Sequence, residues 1–406
     1  MADSSITEDS TDLEEYRQEV RAWMQDNRPP APAFALPQGM LFVDSDEQFA
    51  YLRDWQARVY DAGFVGVEWP AAYGGGGRAP GHQRIVSQEM TRAGVPFLIN
   101  LVGLAWAGPV ILAYGTEAQK KRYIAKILRA DEIWCQGFSE PSAGSDLASL
   151  QTRAVRDGDQ WIVNGHKVWT SLGRFADQMI LLARTDPEAS KHAGISYFLS
   201  PMKTEGVEVA PLTKITGEGG FNQIFFGDAR FPGDCLLGQE GQGWEIALAT
   251  LSFERGASEG AAGGEMGATF DIADAIDLAR SAHRDEGPCI EDPEVRSRLV
   301  SFAIDAMAIR FSGQRARIPG LVADRPMALP LMSKVAGTEY VQALADFGCE
   351  LQGYEGTLNK GDADAIADGE WQRAYLNSYA GTIAGGTSEI VRNILGEKVL
   401  GLPKTK

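Results

Sequence analysis

The chain has 406 residues, 44% of them hydrophobic, and a formal net charge of −17. That length supplies material for a large buried core and sets a prior of roughly two or three domains. The acidic balance excludes an unspecific grip on nucleic-acid phosphates, which needs clustered Lys and Arg, and leaves any anionic ligand in need of a local cationic site.

In chain order, residues 1–12 are polar and acidic, with neither the basic start nor the apolar run of a signal peptide, and read as a disordered tip. Residues 13–132 have helical texture. Leu13, Tyr16, Val20 and Trp23 recur at the spacing of one buried helix face. Pro29, Pro30, Pro32 and Pro37 interrupt it, because proline removes a donor and fixes φ. A second amphipathic segment spans Glu47 to Ala62 and ends at Gly63, a natural C-cap. Gly74 to Gly77 form a glycine loop, and helical texture resumes at Gln83.

Residues 133–240 change to short β-rich runs, such as Trp161-Ile162-Val163, Met179 to Leu182 and Gln223 to Phe226. Asp157-Gly158-Asp159 and Asn164-Gly165 read as turns bounding them. Residues 241–406 return to helical texture, with breaks at Gly287-Pro288, Pro319 to Pro330 and Asp362 to Asp364. Helices, then strands, then helices argue for segregated layers, an α+β chain, and against a doubly wound nucleotide fold.

Cys135, Cys235, Cys289 and Cys349 lie far apart without a C-x-x-C pair, as expected of free thiols in a reducing cytoplasm. No run reaches membrane-spanning length. His82, His166, His192 and His283 are scattered without ligand spacing, so no metal is expected.

Four segments carry chemistry. Gly137-Phe138-Ser139-Glu140-Pro141-Ser142-Ala143-Gly144-Ser145-Asp146 is a loop of small residues and hydroxyls that could hydrogen-bond a flavin pyrimidine or a phosphopantetheine arm, although such a loop taken alone is more often a plain surface loop. Lys167-Val168-Trp169-Thr170-Ser171 puts an indole and a hydroxyl two residues apart on one side of a strand, as a cofactor wall would, or simply a core Trp. Gly241-Gln242-Gly243-Trp244 leads through Leu251 to Glu254-Arg255, a carboxylate and a guanidinium adjacent on a helix, a pattern also common on solvated faces. Finally, Gly385-Gly386 enters a helix through Thr387, a plausible N-cap whose exposed N–H groups suit an anion or a carbonyl oxygen.

These segments, in this order, resemble the acyl-CoA dehydrogenase family. The stretch Gly66 to Gly77 resembles the family's N-terminal glycine region, and Gly385 to Pro403 its end segment. The resemblance covers the chain from Leu13 onward and implies an N-terminal helical domain, a middle β-barrel or sandwich domain and a C-terminal four-helix bundle. It implies FAD, with Gln136, Phe138 and Ser139 at the pyrimidine edge, Trp169, Thr170 and Ser171 at the ring near N5, and Gly353, Thr387 and Glu389 among the further FAD contacts. Ser145 would touch both FAD and the CoA thioester arm.

Many members carry the catalytic base just before the G-T of the last motif, where this chain has Gly385. A second group, isovaleryl-CoA dehydrogenase among them, carries it before an Arg on the first C-terminal helix, the place of Glu254. The resemblance therefore implies Glu254 as base, Gly385 and Gly386 at the thioester carbonyl, and Arg255 as a structural or CoA-side partner.

The adenine-end motifs depart further. R-x-Q-F-G becomes His283-Arg284-Asp285-Glu286-Gly287, and Q-x-x-G-G-x-G becomes Glu350 to Gly356. Carboxylates there oppose a diphosphate, which fits a homo- or hetero-oligomer, dimer or tetramer, in which only some interfaces hold FAD. Small residues from Gly256 to Gly264 suit a wide cleft for a branched or polycyclic acyl group, or equally tight helix packing. Electron-transfer flavoprotein is the implied acceptor. Rival readings are a flavin oxidase or monooxygenase on the same scaffold and a non-catalytic partner subunit.

Overall fold

The computed structural model describes residues 4–37, 39, 43–257, 270–284, 287–316, 318–322 and 324–404, with backbone alone at 4–11, 254–257, 284, 319 and 322. The chain divides into two compact units, Met1–Glu265 and Met266–Lys406.

The first unit begins with helices α1 (Ser4–Asp26), α2 (Asp46–Asp61), α3 (His82–Ala93), α4 (Gly108–Tyr114) and α5 (Glu117–Arg129). Helix α1 starts at Ser4 and so takes in most of the stretch expected as a disordered tip. Once residues 16–24 are anchored by burial, each preceding residue adds a hydrogen bond without a new nucleus. Ser45 caps α2 by accepting from the Gln48 N–H, and Leu52, Trp55, Gln56 and Val59 bury the face that the spacing foretold. Helix α5 opens with a capping box between Thr116 and Gln119. Val102–Ala107, just before α4, is π-helical, a feature invisible to 3.6-residue periodicity.

Asn100 joins these helices to the strands. Its Nδ2 donates to the Ile127 and Glu132 carbonyls, at 3.0 and 2.9 Å, and its Oδ1 accepts from the Trp134 N–H at 3.0 Å. The Gln56 Oε1 accepts the Asn100 N–H at 3.0 Å. A fully buried amide side chain thus fixes where the first strand starts.

Strands β1 (Trp134–Gly137), β2 (Arg153–Asp157), β3 (Gln160–Ser171), β4 (Gln178–Arg184), β5 (Ile195–Pro201), β6 (Val207–Leu212), β7 (Phe221–Pro232) and β8 (Leu236–Leu237) form one sheet in the order β6-β7-β3-β2-β4-β5-β8, with β1 on β4. Most pairs are antiparallel; β1 and β2 each run parallel to β4. The turn at Gly158 joins β2 to β3 as expected, with Asp157 opposite Gln160. Asn164-Gly165, in contrast, is no turn. It lies inside β3 at a register shift against β7, where a Cβ on Gly165 would sit 2.4 Å from the Thr152 hydroxyl. An Asn-Gly pair serves a bulge and a close approach as readily as a hairpin. Helix α6 (Gly243–Ala257) packs on β5 and on the π-helical segment, within the same unit.

The second unit contains α7 (Ile272–Ser281), a short pair β9 (His283–Arg284) and β10 (Gly287–Pro288), then α8 (Pro293–Arg315), α9 (Pro319–Val322), α10 (Ala328–Leu351), α11 (Glu370–Ile383) and α12 (Ser388–Ile394). Pro330 falls in the first turn of α10, where a missing N–H costs nothing, so the proline-rich break is narrower than the sequence suggests. Helices α7, α8, α10 and α11 enclose a core that includes Leu278, Leu299, Leu344, Phe347 and Trp371. Phe270 stacks on Trp371 at 3.8 Å. Gly348 admits that indole: a Cβ there would sit 2.0 Å from Trp371. Gly348→Ala should therefore lower stability by about 1–3 kcal/mol, read as a drop in the urea midpoint with unchanged slope.

Cys135, Cys235, Cys289 and Cys349 are unpaired thiols. Among the described residues no helix is long and apolar enough to cross a membrane, and no group of three or more His, Cys, Asp or Glu side chains could hold a metal ion.

Candidate active site

In the first unit two motif segments lie side by side. Strand β1 carries Gln136 and ends at Gly137, and the loop beyond it turns back at Glu140, whose N–H and C=O exchange hydrogen bonds with Ala143, each 3.1 Å. The Ser139 carbonyl accepts the Val168 N–H at 3.0 Å, and the Phe138 carbonyl accepts from Lys167 Nζ at 3.0 Å. With one bond already on each carbonyl, the groups these two residues offer a ligand most readily are their N–H groups and the Ser139 hydroxyl. The Phe138 ring is buried edge-on against Tyr197, so its part in a site is through its backbone.

Strand β3 breaks its alternation at this point. The register against β7 shifts between Lys167 and Thr170, and Trp169 takes φ +62°, a left-handed backbone that costs an L-residue roughly 1–2 kcal/mol. The simple rule of same-side residues two apart does not hold across such a bulge: Trp169 is 55% exposed, while Thr170 and Ser171 are buried. Trp169 is therefore not a core tryptophan. Its ring meets the edge of Phe221, at 5.5 Å. Asn222 Nδ2 holds the Thr170 carbonyl at 3.2 Å.

These residues fit a flavin. Gln136 Nε2 and Thr170 Oγ1 are buried without a hydrogen-bond partner, a costly state that a polar ligand edge would relieve. A large exposed aromatic ring held on strained backbone suits a planar cofactor face.

Ser145 is exposed in the outer part of the loop, and the next residue is anchored: Asp146 accepts from Lys191 Nζ at 2.7 Å and from the Ser149 hydroxyl at 2.6 Å. Hydrogen bonds from Lys191 and Ser149 hold the Asp146 carboxyl below the usual carboxylate range. Glu254 and Arg255 lie in the last turns of α6, and their side chains fall outside the described residues, as do Ser258 to Gly264 and the Asp285-Glu286 pair.

The second unit carries the remaining candidates. Gly385 and Gly386 take φ +64° and +98° between α11 and α12, a path that needs glycine. The Gly386 carbonyl accepts from Lys334 Nζ on α10 at 2.6 Å, which pins the turn. Thr387 is the N-cap, accepting the Ile390 N–H at 3.2 Å. Glu389 occupies the first turn of α12, and hydrogen bonds with its own backbone N–H and Thr387 hold its carboxyl below the usual range. Gly353, at φ +61°, opens a 3-10 turn in which Tyr354 is 93% exposed. Glu350 pairs with Arg298.

Two residues that motif reading passed over are the buried pair Glu140 and Lys167. Lys167 faces Ile224 of β7 at an inward position, and a charge placed there demands a countercharge. Burial pushes Lys167 down to about 8 against the pull of Glu140. Burial also pushes Glu140 up, but the charge and hydrogen bonds of Lys167, with those from Thr152 and Gln151, prevail and hold it below the usual carboxylate range.

Family models match nearly the whole chain: the acyl-CoA dehydrogenase N-terminal domain over residues 10–131, the middle domain over 135–229 and the C-terminal domain over 241–400. The chain belongs to the acyl-CoA dehydrogenase family, flavoprotein oxidoreductases that dehydrogenate acyl-CoA thioesters. It is 39% identical to acyl-CoA dehydrogenase IpdE1 of Mycobacterium tuberculosis, over 97% of this chain and 98% of that one. Among solved structures, the Tcur3481-Tcur3483 steroid ACAD superposes with a TM-score of 0.77 at 30% identity, covering 97% of this chain and 98% of that one. The ChsE4-ChsE5 complex from Mycobacterium tuberculosis superposes at 0.73 with 29% identity, covering 97% and 98%.

Proposed function

We propose that this chain is the dehydrogenating subunit of an FAD-dependent enzyme that removes two hydrogens across Cα–Cβ of a branched or ring-bearing acyl-CoA, giving the 2-enoyl-CoA. The observation that carries the flavin assignment is Trp169, a half-exposed indole on a left-handed bulge beside the unpartnered Thr170 hydroxyl. When bound, FAD supplies the acceptor for the β-hydride.

The chain's own residues must do the rest. A thioester α-proton is too weak an acid for a carboxylate in water, so the carbonyl has to be polarised and the base desolvated. Glu254 takes the α-proton. The Gly385 N–H donates to the thioester carbonyl, from a turn that the Gly386–Lys334 bond holds still. Gln136, the Phe138 and Ser139 N–H groups, Trp169, Thr170 and Ser171 line the flavin. Gly353, Thr387 and Glu389 lie along its remainder, Gly386 beside the thioester, and Ser145 and Arg255 along the CoA arm. Electrons pass on to electron-transfer flavoprotein in the cytoplasm.

A ring-bearing substrate is supported by the structural neighbours named as steroid enzymes. Assembly with a second, different chain is supported by neighbours named as two-protein complexes and by α8. That helix buries Val295 and Leu299 on one face yet exposes Val300, Ile304, Met307 and Phe311 along another. A helix apolar on two faces is a helix with a further partner.

The test is the visible spectrum of the purified enzyme before and after a panel of acyl-CoAs under nitrogen. Ring-bearing thioesters should bleach the oxidised flavin faster than straight-chain ones. A flavin left oxidised by every thioester would contradict the dehydrogenase, and a homotetramer with one FAD per chain would contradict the mixed assembly.

A further inference from the structure

The first unit holds a fully buried ion pair that no step of the proposed reaction uses. Lys167 is 0% and Glu140 5% exposed at the side chain, with Nζ 2.7 Å from Oε1. The ammonium also donates to the Phe138 carbonyl. The carboxylate is saturated on its other side: Oε1 accepts the Thr152 N–H at 2.9 Å and Oε2 the Gln151 N–H at 2.7 Å. Through four hydrogen bonds one pair ties together the loop after β1, the two residues just before β2 and strand β3.

Such pairs seldom add net stability, because desolvating two charges offsets their attraction, and replacing both by well-packed apolar residues of similar volume is often neutral or stabilising. What a buried pair does supply is register. Here it lies two residues from the Trp169 bulge on one strand and two residues from Phe138 on the loop, between the two segments assigned to the flavin. Among the described residues the loop's other hydrogen bond to β3 is the Ser139–Val168 backbone bond.

We propose that Lys167 and Glu140 are positioning residues for the cofactor: a buried ionic clamp that fixes the Gln136–Ser139 segment against the Trp169–Ser171 segment at the separation a flavin ring edge requires. This rests on the flavin reading above. The clamp touches neither flavin nor thioester; it acts through the Phe138 carbonyl and the backbone of β3.

Removing Lys167 alone strands a buried carboxylate and threatens the fold, so the informative variant is the double change Lys167→Met with Glu140→Gln, compared with wild type. The readouts are apoprotein melting, the dissociation constant for FAD on reconstituting the holoenzyme as isolated, and the shape of the oxidised flavin spectrum. The double variant should stay folded but melt below wild type, because the Phe138 carbonyl and one of the Gln151 and Thr152 N–H groups lose their partner, bind FAD at least about 10-fold more weakly, and show a spectrum shifted toward free flavin. A folded double variant with wild-type FAD affinity and spectrum overturns the clamp and leaves the flavin reading standing. A double variant that fails to fold also overturns it, since the pair would then serve the fold itself. A wild-type protein that takes up no FAD overturns the flavin reading, and the clamp with it.

Discussion

Glu254→Gln is expected to keep its flavin and its melting curve while flavin bleaching by substrate falls by about 100- to 10,000-fold, the range of a lost general base. The amide is isosteric but cannot take a proton from carbon. The scaffold that carries this position is firm. A Cβ on Gly243 would sit 2.5 Å from the Ser196 backbone, so α6 is pressed against β5 at its start. Thr250, fully buried one turn before Glu254, meets the Tyr197 hydroxyl at 3.1 Å. A Gln at 254 leaves those contacts in place, which separates loss of chemistry from loss of fold. Rapid-mixing absorbance of the variant against wild type, at equal flavin content, reads the difference. Bleaching at the wild-type rate would move the base elsewhere.

Asn100→Ala is expected to be the most damaging of the stability variants, by about 3–5 kcal/mol. The residue is fully buried, and its side chain satisfies the Ile127 and Glu132 carbonyls and the Trp134 N–H. Deleting it strands up to three backbone groups, each worth roughly 1–3 kcal/mol when buried and unpaired; the Ile127 carbonyl keeps a longer bond from Gln56 Nε2 at 3.3 Å. Against a typical total stability of about 5–15 kcal/mol, that is enough to bring the urea midpoint close to native conditions. A shift below about 1 kcal/mol, no more than that of an average point mutant, would mean that water replaces the side chain.

The layers of the fold were legible because burial follows period. Tyr16 and Val20 on α1 stand where their spacing put them, and the switch to short β-rich runs marked the sheet. Local exceptions were not legible. Asn164-Gly165 satisfies the sequence rule for a turn, yet cross-strand pairing with β7 draws it into a bulge within β3. The π-helical turn before α4 leaves no periodic trace. At the site, motif order located the loop and the strand but not their relation. Trp169 was readable as wall or core, and only the bulge, a property of β3 against β7, decides for exposure. Lys167 left little trace: it stands between His166 and Val168, and nothing in the sequence couples it to Glu140, the one acid among Gly137 to Ser145. Thr387 was correctly read as a cap.

The most direct test of the whole account is mass analysis of the thioester after anaerobic mixing with stoichiometric enzyme. Each flavin bleached should be matched by one acyl-CoA that has lost two hydrogens. An intact thioester, with the flavin still oxidised or bleached without that product, would contradict dehydrogenation at this site.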